Sequence, residues 1–509
     1  MKELMQHSPA QEICLEPRVK VTARHVLVTG IGKSGQATAR FLLKYAERLN
    51  IQSLTVVDSA QTDSLQKFVS NFATDCCGTI EFKAFLGVET TPSLAAAVTG
   101  DKDGSSDSAA LYDLCIITPG LAPHTTLSKS AYVASREVIS EIELAYRLSP
   151  PQLTWIAITG TNGKTTTTEL VREVIEAGEK VHNSRVYSVG NIGTPALVAL
   201  EYARQNDYFV AEVSSFQAAR LSDFRPQVAA LLNLSSDHLD WHKNIKQYAA
   251  DKCAIFANCA DGDLVLAPDE SHLHPQAGHT IAAALDAARS RGAEVQTIQA
   301  EESTLPFEMC EMNMSGKHNI SNACFAWAIA RHFGIADSDS SQAIRNFQPQ
   351  PHRMQEVGRY GEVLYVNDSK STNVDASIQA LTAYLGLELI LLLGGQNKGA
   401  DYHDLAKAAL ARAKMILLFG EAASELKASF DVLAGKQGEG QQVLSFASMK
   451  DAFCFARENA LPQEVVLLSP ANASFDEFEN FEERGDYFIR LVKDLDSGND
   501  GSSDGSSDG

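Results

Sequence analysis

The segment 157–170, AITGTNGKTTTTEL, places two glycines, a lysine and four threonines directly after a strand-like run. Backbone N–H groups in such a turn can surround phosphate oxygens, a lysine can neutralise their charge, and a threonine hydroxyl can hold Mg²⁺. The full Walker A spacing is not met, because the position five before Gly163 is Ile158. The sequence therefore predicts a phosphate site in a shorter loop, made of Gly160, Thr161, Asn162, Gly163, Lys164, Thr165 and Thr166.

A second glycine cluster, GIGKSG at 30–35, fits the pattern G-x-G-x-x-G between a strand-like run and a helix-like run. Asp58 ends the next strand-like run, as in dinucleotide-binding proteins. The glycines allow close approach of the backbone, and a helix N-terminus favours a diphosphate. These residues predict a site for a nucleotide diphosphate and leave open whether it is NAD or a UDP-sugar.

Two further segments carry possible metal ligands. Glu212 ends the strand-like run DYFVAEV, where a carboxylate near a phosphate loop can bind Mg²⁺. His238 and His242 are four residues apart, a spacing that also suits zinc. No acid stands between them as in H-E-x-x-H and no third ligand is evident, so we interpret His238 as a ligand of a phosphate-bound metal.

Polar residues follow three strand-like runs in the last third of the chain. They occupy 367–373 (NDSKSTN), 396–401 (QNKGAD) and 471–475 (ANASF). Ligands of open parallel sheets bind at the carboxyl ends of strands, so these segments predict one shared site. Lys370 and Lys398 would supply its positive charge.

Strand-like and helix-like runs alternate along most of the chain, which predicts an α/β fold with largely parallel sheets. Proline-rich segments at 148–154 and 347–355 favour domain boundaries. We therefore expect domains at 1–150, 151–350 and 351–495 and a disordered acidic tail at 496–509. The segment 100–108, rich in Gly, Ser and Asp, is expected to be a surface loop.

The composition limits the classes of partner. The net charge of −21 argues against a broad nucleic-acid surface, which needs basic stripes. No apolar run approaches the ~20 residues that span a bilayer, and the first residues lack the apolar region of a secretory signal. The nine scattered cysteines indicate reduced thiols. These features predict a cytoplasmic protein without membrane or nucleic-acid partners.

Taken in order, the motifs resemble those of the Mur ligase family. They are GTNGKTTT, AEVSSFQ, SDHLDWH, GKHNISNA, PHRMQ, NDSKSTN and LLGGQNKGAD. Within the family, the ending LLSPANASFDEFENFEERGDYF is similar to that of the enzymes that add D-glutamate to UDP-N-acetylmuramoyl-L-alanine. Two positions depart from the family pattern: Asn472 stands where Cys is usual, and Phe475 where Leu is frequent.

The resemblance implies three domains: an N-terminal Rossmann-like UDP-binding domain, a central P-loop-like ATPase domain and a C-terminal Rossmann-like α/β domain. It implies an ATP-dependent ligase of peptidoglycan precursor synthesis that works through an acyl phosphate. ATP, Mg²⁺ at two sites and a carbamylated Lys252 are the implied cofactors. UDP-N-acetylmuramoyl-L-alanine, D-glutamate and ATP are the implied partners of a monomer.

The resemblance also assigns roles to single residues. Lys164, Lys252, His238 and Lys370 are implied in catalysis, and the metal ligands would be Thr165, Glu212, His238 and Lys252. Besides the phosphate loop, the implied ATP contacts are Asn319, Asn322, Arg353 and Asp368. The UDP-substrate contacts would be Gly32, Lys33, Ser34, Asp58, Thr118, Pro119, Gly120 and Asn191. The amino-acid contacts would be Thr372, Lys398, Ser474, Phe475 and Phe481.

Three alternatives remain at this point. A NAD-dependent oxidoreductase would explain the first glycine cluster and leave GTNGKT unexplained. A folylpolyglutamate synthase-like ligase, or a related ligase for another amino acid including L-glutamate, would share the ATP loop. A nucleotide-binding regulator without activity would not need Lys164, Glu212 and Lys252 together.

Overall fold

The structure is a computed structural model that describes residues 17–76, 79–87, 111–178, 184–238, 241–314, 317–348, 351–381, 384, 386–397, 400–434 and 442–497. The predicted surface loop at 100–108, Lys398 and residues 498–509 of the predicted tail lie outside these ranges. Among the described residues, no helix combines the length and the apolar character needed to cross a membrane.

The first sheet has five parallel strands in the order β3-β2-β1-β4-β5. Their bounds are β1 His25–Thr29, β2 Ser53–Asp58, β3 Glu81–Leu86, β4 Leu114–Ile117 and β5 Val138–Ile139. The strand order reverses between β1 and β4, and open α/β sheets bind ligands beyond the carboxyl ends at such a point. Gly30 and Thr118, both predicted to lie near the UDP-substrate, directly follow these two strands.

The second sheet has six parallel strands in the order β11-β10-β9-β6-β8-β7. Their bounds are β6 Thr154–Thr159, β7 Val186–Gly190, β8 Tyr208–Glu212, β9 Val228–Leu231, β10 Leu264–Pro268 and β11 Glu294–Ile298. Strand β6 lies between β8 and β9, so the phosphate loop after β6 is next to the ends of both neighbours. The residues of β6 are almost all buried, as expected for a strand covered on both faces.

The third sheet has six strands in the order β12-β13-β17-β14-β15-β16, and only β12 is antiparallel to its neighbour. Their bounds are β12 Gln355–Tyr360, β13 Val363–Asn367, β14 Leu389–Gly394, β15 Met415–Phe419, β16 Gln442–Ser445 and β17 Val465–Ala471. The three polar segments of the sequence follow β13, β14 and β17, which are adjacent in this sheet.

Helices connect most of the strands, as the alternating sequence pattern predicts. The α-helices are Lys33–Lys44, Ala46–Leu49, Asp63–Asp75, Thr126–Ala134, Glu141–Leu148, Lys164–Ala177, Ala196–Leu200, Ser215–Ala218, Ile245–Cys253, Gly278–Ser290, Lys317–His332, Asp337–Asn346, Val374–Ala380, His403–Arg412, Ala423–Ala434, Met449–Asn459 and Phe481–Ser497. Short 3₁₀ turns lie at Ala254–Phe256, Glu270–His272, Glu302–Thr304 and Met309–Glu311.

The chain divides into two compact units. One comprises Met1–Leu305 and Asn322–Ile344 and contains the first two sheets, and the other comprises Pro306–Ser321 and Arg345–Gly509 and contains the third. In the first unit, side chains of both sheets share one apolar core, in which Trp155 packs edge-on against Phe209 and Phe224. The predicted fold class, α/β with parallel sheets, is confirmed. The three domain boundaries remain predictions.

A buried carboxylate in the first unit makes stability depend on pH. Glu141 is 2% exposed, and its Oε1 accepts a 2.7 Å hydrogen bond from the backbone N–H of Leu197. Burial raises the pKa of Glu141 from 4.5 to about 7, although backbone hydrogen bonds oppose the rise. The folded state then holds this proton more tightly than the unfolded chain. The free energy of unfolding therefore falls as the pH rises from about 4.5 to about 7.

Replacing Glu141 with glutamine is expected to remove this contribution. Unfolding curves of the wild type and Glu141→Gln should diverge with pH, and the wild type should lose up to about 3 kcal/mol relative to the variant between the two pKa values. Glu47→Gln, at an exposed glutamate of the same unit, is the control and should follow the wild type. Parallel curves for the wild type and Glu141→Gln would contradict the assignment.

Candidate active site

The phosphate loop between β6 and helix Lys164–Ala177 needs glycine at its last position. Gly163 has a φ of 80°, a left-handed conformation, and a Cβ there would lie 2.5 Å from Oδ1 of Asn322. Asn322 also accepts a 3.1 Å hydrogen bond from the hydroxyl of Thr167. Asn322, one of the implied ATP contacts, therefore packs directly against the loop. Asn319 lies one turn earlier on the same helix and is 6% exposed.

Asn233 holds the loop from the neighbouring strand end. Its Oδ1 accepts hydrogen bonds from the backbone N–H groups of Thr161 (3.1 Å) and Asn162 (2.9 Å). Its amide nitrogen donates to the carbonyl of Asn162 at 3.0 Å. The sequence analysis did not identify Asn233, although a polar residue right after the apolar run VAALL was a signal for it.

Lys164 begins the helix that follows the loop. Its ammonium group donates to the carbonyls of Gly160 (3.0 Å) and Thr161 (2.7 Å). The charge of Lys164 therefore lies against the phosphate loop. It also lies at the N-terminus of helix Lys164–Ala177, which is the positive end of the helix dipole. Both features favour an anion such as a phosphate group.

Thr165 and Glu212 meet at the ends of β6 and β8. The Thr165 hydroxyl donates to Oε2 of Glu212 at 2.8 Å, and the Asn191 amide donates to Oε1 at 2.8 Å. Glu212 is 2% exposed. Hydroxyl and carboxylate oxygens are the ligands that Mg²⁺ prefers, so the donor set fits that ion. The described residues contain no group of three or more His, Cys, Asp or Glu suited to a metal.

Lys252 is buried beside the phosphate loop. It is 1% exposed, and its Nζ donates to the carbonyl of Gly160 at 2.7 Å and lies 4.7 Å from the ring centroid of Tyr248. Burial, and then the charge of Lys164, hold the pKa of Lys252 well below 10.5, while Asp237 and Glu212 oppose the shift. A buried amine with a lowered pKa gives up its proton easily and can act as a nucleophile.

His242 is engaged at both ring nitrogens. Nδ1 lies 2.7 Å from Oδ2 of Asp251, and Nε2 lies 2.9 Å from the hydroxyl of Ser215. These bonds connect the segment after Glu212 to helix Ile245–Cys253, which carries Lys252. His238 adopts a φ of 53°, its side chain is 47% exposed, and its ring packs against Phe216. Because His242 is already hydrogen-bonded at both nitrogens, the pair of histidines does not present a zinc site.

The first glycine cluster forms a tight turn at the end of β1. Gly30 has a φ of 88°, and a Cβ on Gly35 would lie 1.9 Å from the carbonyl oxygen of Gly30. Asp58 accepts hydrogen bonds from the backbone N–H groups of Ile31 (2.5 Å) and Ala60 (2.8 Å). In this structure the carboxylate therefore orders both loops at the carboxyl ends of β1 and β2.

The other residues predicted to bind the UDP-substrate lie around the same edge of the first sheet, except Asn191, which follows β7 of the second sheet and donates to Glu212. The Thr118 hydroxyl donates to the carbonyl of Thr29 at 3.2 Å, and a Cβ on Gly30 would lie 2.0 Å from that hydroxyl. The ammonium of Lys33 donates to the carbonyl of Gly193 at 3.2 Å. Gly32 and Gly120 are exposed, and Ser34 and Pro119 are half-buried.

In the second unit, Asp368 is a buried carboxylate after β13. Its Oδ2 accepts from the hydroxyls of Ser371 (2.5 Å) and Ser469 (2.8 Å), and Oδ1 accepts from the backbone N–H of Met354 (3.2 Å). Burial raises the pKa of Asp368 to about 6, although these hydrogen bonds and the charge of Arg353 lower it. Asp368 therefore links the residue before β12, the turn after β13 and strand β17.

Two of the residues predicted to bind the amino acid, Thr372 and Phe481, lie near this turn. The ammonium of Lys370 lies 5.4 Å from the ring centroid of Phe481, which begins helix Phe481–Ser497. The backbone N–H of Thr372 donates to the carbonyl of Lys370 at 2.9 Å. After β17, Ser474 is 2% exposed and Phe475 is 59% exposed. Lys398, the remaining member of the set, lies outside the described residues.

Two sets of similarities place these loops in a known family. The profile described as the Mur ligase middle domain matches residues 158–330, and the one described as Mur ligase, glutamate ligase domain matches residues 352–472. A UDP-N-acetylmuramoylalanine–D-glutamate ligase of Pelotomaculum thermopropionicum is 33% identical over 94% of this chain and 99% of its own length. The chain belongs to the Mur ligase family.

A second relative agrees with this assignment. A UDP-N-acetylmuramoylalanine–D-glutamate ligase of Thermobifida fusca is 32% identical over 94% of this chain and 100% of its own length. Among solved structures, UDP-N-acetylmuramate-alanine ligase MurC of Thermotoga maritima is 15% identical, covers 92% of this chain and 99% of its own, and has a TM-score of 0.49. The family predicted from the motifs is confirmed, and the oxidoreductase alternative is excluded.

One further residue of this Mur ligase organises the second unit. Arg484 is fully buried, and its guanidinium donates to the Ser369 hydroxyl (3.0 Å) and carbonyl (2.9 Å) and to the carbonyls of Asn472 (3.0 Å) and Ala473 (3.2 Å). Burial lowers the pKa of Arg484 to about 10. The sequence analysis did not identify Arg484, because an arginine between acidic residues in NFEERGDYF is typical of an exposed helix.

Proposed function

We propose that this Mur ligase uses ATP to join D-glutamate to UDP-N-acetylmuramoyl-L-alanine, releasing ADP and phosphate. Relatives that carry the name of this activity match nearly the whole chain, and their own full length, at 32–33% identity. In the first unit, the observation that carries the proposal is the placement of Lys164, Thr165 and Glu212 around one glycine-bounded loop. That arrangement suits a nucleoside triphosphate with a divalent cation.

The first step makes the substrate's carboxylate reactive. A carboxylate is a poor electrophile, and oxide is a poor leaving group. The alanyl carboxylate therefore attacks the γ-phosphorus of ATP, the bond from that phosphorus to the bridging oxygen breaks, and ADP leaves with the electron pair. Lys164 and the N–H groups at the start of its helix stabilise negative charge on the phosphate oxygens during this transfer. The N–H groups of Thr161 and Asn162 donate to Asn233, which fixes the shape of the loop.

The metal ligands in this proposal are side chains of the first unit. Thr165 and Glu212 would hold one Mg²⁺, and His238 and Lys252 would serve a second. When bound, Mg²⁺ neutralises the charge of the phosphate groups. Asn191 donates to Glu212 and thereby fixes the orientation of its carboxylate.

Lys252 is proposed to act as a carbamate. Its ammonium group would first lose a proton, and the neutral amine would then add to the carbon of CO₂ and lose a second proton, which leaves an anion in place of a cation. The proposal is supported by the burial of the amine and by its lowered pKa, since the neutral form is the one that reacts. An anion at this position would attract cations at the phosphate loop.

The second step forms the amide bond. The amine of D-glutamate attacks the carbonyl carbon of the acyl phosphate, and phosphate leaves from the tetrahedral intermediate as the nitrogen loses a proton. Lys370, Thr372, Lys398, Ser474, Phe475 and Phe481 are proposed to surround the amino acid. Glutamate carries two carboxylates, so lysines and hydroxyl groups are suited to bind it.

The remaining roles complete the proposal. Arg353, Asp368, Asn319 and Asn322 would contact ATP. Gly32, Lys33, Ser34, Asp58, Thr118, Pro119, Gly120 and Asn191 would contact the UDP-substrate. The three domains would have the boundaries that the sequence predicts, and the protein would work as a monomer in the cytoplasm, in the synthesis of peptidoglycan precursors.

A panel of amino acids tests this function directly. Purified protein with ATP, Mg²⁺ and UDP-N-acetylmuramoyl-L-alanine should release phosphate and form amide with D-glutamate, and should do so poorly with L-glutamate, L-alanine and meso-diaminopimelate. Omitting the UDP-substrate is the control for ATP hydrolysis alone. A clear preference for another amino acid would overturn the assignment of D-glutamate, and the absence of amide with every member would overturn the ligase.

A further inference from the structure

A left-handed residue lies where the third sheet meets the predicted amino-acid site. Ala471, the last residue of β17, has a φ of 62° although it is not glycine. Such a conformation costs free energy for a residue with a side chain, and it persists only where the surroundings impose it. The next residue, Asn472, is the one that replaces the usual cysteine of the family.

The side chain of Asn472 holds this turn by two hydrogen bonds. Its amide nitrogen donates to the carbonyl of Pro470 at 3.2 Å, so the side chain reaches back across Ala471. Its Oδ1 accepts a 2.5 Å hydrogen bond from the hydroxyl of Tyr402. Asn472 is 2% exposed and Tyr402 is 3% exposed, so both polar groups are removed from water.

Tyr402 directly follows the second segment of the predicted site, residues 396–401, and precedes helix His403–Arg412. The first residue of that segment contacts the same turn, because the backbone N–H of Gln396 donates to the carbonyl of Ala473 at 2.8 Å. Gln396 and Tyr402 are therefore both hydrogen-bonded to the turn 470–474.

We propose that the hydrogen-bonded pair Tyr402–Asn472 is a specificity-determining pair, which fixes the turn that carries Ser474 and thereby sets the selectivity for the amino-acid substrate. The two are positioning residues, because they act through their neighbours. The inference rests on the proposed function, since it concerns the amino-acid site of the same ligase.

The hydrogen bond between Tyr402 and Asn472 can be tested by removing its two partners singly and together. Removing one partner of a buried hydrogen bond leaves the other partner without water or protein to bond to, whereas removing both avoids that penalty. Tyr402→Phe and Asn472→Cys, singly and together, form a double-mutant cycle, in which a direct interaction appears as non-additivity.

Each single variant is expected to raise the KM for D-glutamate about tenfold, which is the effect of leaving one buried polar group unpaired. The discrimination between D- and L-glutamate should fall in parallel. The kcat at saturating glutamate and the KM values for ATP and the UDP-substrate should change less than about twofold. Because Asn472→Cys also removes the hydrogen bond to Pro470, the double variant should keep the roughly tenfold rise of Asn472→Cys alone, far from the roughly hundredfold rise that independent effects would give.

Tyr384→Phe is the matched control. Its hydroxyl also lies in the second unit, where it donates to Glu356 on β12 at 3.2 Å, away from the turn. This variant should keep the wild-type KM for glutamate and the wild-type discrimination. Thermal midpoints of all four variants show whether a kinetic change merely follows a loss of stability.

Three results would overturn the inference: unchanged glutamate KM and selectivity in both single variants, multiplicative effects in the double variant, or equal changes in every KM. The wild-type panel is measured first, and the cycle is run with whichever amino acid the wild type joins. A failure of D-glutamate in the wild type is therefore a failure of the proposed function, and a failure of coupling in the cycle is a failure of this inference.

Discussion

Lys164→Ala is expected to reduce the ligase turnover at least ~10²–10³-fold, which is typical when a group that stabilises charge in a transition state is removed. The ammonium group lies on the phosphate loop, where it contacts the carbonyls of Gly160 and Thr161. Phosphate release at saturating ATP, UDP-substrate and D-glutamate measures the loss. Binding of the UDP-substrate, measured by calorimetry, should change little, because its predicted contacts, apart from Asn191, lie at strand ends of the first sheet.

Lys129→Ala is the control for the loss of a lysine from the same unit. Lys129 is exposed on helix Thr126–Ala134, and its removal should leave turnover unchanged. Near wild-type turnover in purified Lys164→Ala would show that this ammonium group does not assist phosphoryl transfer. Loss of UDP-substrate binding together with turnover would indicate misfolding of the first unit instead.

Lys252→Ala is expected to be nearly inactive, and a short-chain carboxylic acid should restore part of the activity by replacing the lost anion. The variant leaves a space beside Tyr248 and the carbonyl of Gly160, where the lysine now lies. Turnover is measured at increasing concentrations of acetate and propionate. Rescue by an acid is specific to an anionic role, since a lost ammonium group would be rescued by an amine.

Lys246→Ala provides the matched control on the same helix. Lys246 is exposed where Lys252 is 1% exposed, so its removal should affect neither turnover nor the response to acid. Full activity of Lys252→Ala would show that the carbamate is not required. Rescue by methylamine and not by acetate would show that the lysine acts as a cation.

The sequence predicted the positions of the loops well because each follows an apolar run. Runs such as TWIAIT and VAALL are buried on both faces of a parallel sheet, so their ends, and the polar residues after them, can be read directly. It also predicted that Glu212 belongs with the phosphate loop, and Thr165 donates to it at 2.8 Å. Strands β13, β14 and β17 are adjacent in the third sheet, so the three polar segments at their carboxyl ends lie along one edge of that sheet.

The supporting residues could not be predicted in the same way. Asn233 lies 71 positions from Asn162, and Arg484 lies 115 positions from Ser369. Such partners are set by the order of strands in a sheet, and no local pattern reveals that order. The acidic neighbours of Arg484 in the sequence also favoured an exposed position for it, because a charged residue in a polar helix is usually exposed.

The cysteine-to-asparagine departure at position 472 shows a related limit. The sequence shows that Asn472 is unusual, but it does not show which residue the side chain contacts. That residue, Tyr402, lies 70 positions away. Only the fold brings the two together and shows that the amide is hydrogen-bonded on both sides. A departure that suggests a changed pocket is, in the structure, a fully satisfied buried contact.

The contacts of His242 have a consequence for the way active sites are searched by geometry. A hydroxyl at 2.9 Å from one ring nitrogen and a carboxylate at 2.7 Å from the other reproduce the connectivity of a serine hydrolase triad. The Ser215 hydroxyl, however, belongs to a residue that is 2% exposed at the start of a four-residue helix. A template that ignores burial would classify this ligase among the esterases, because the same three groups that activate a nucleophile elsewhere here only join two segments of a nucleotide-binding domain.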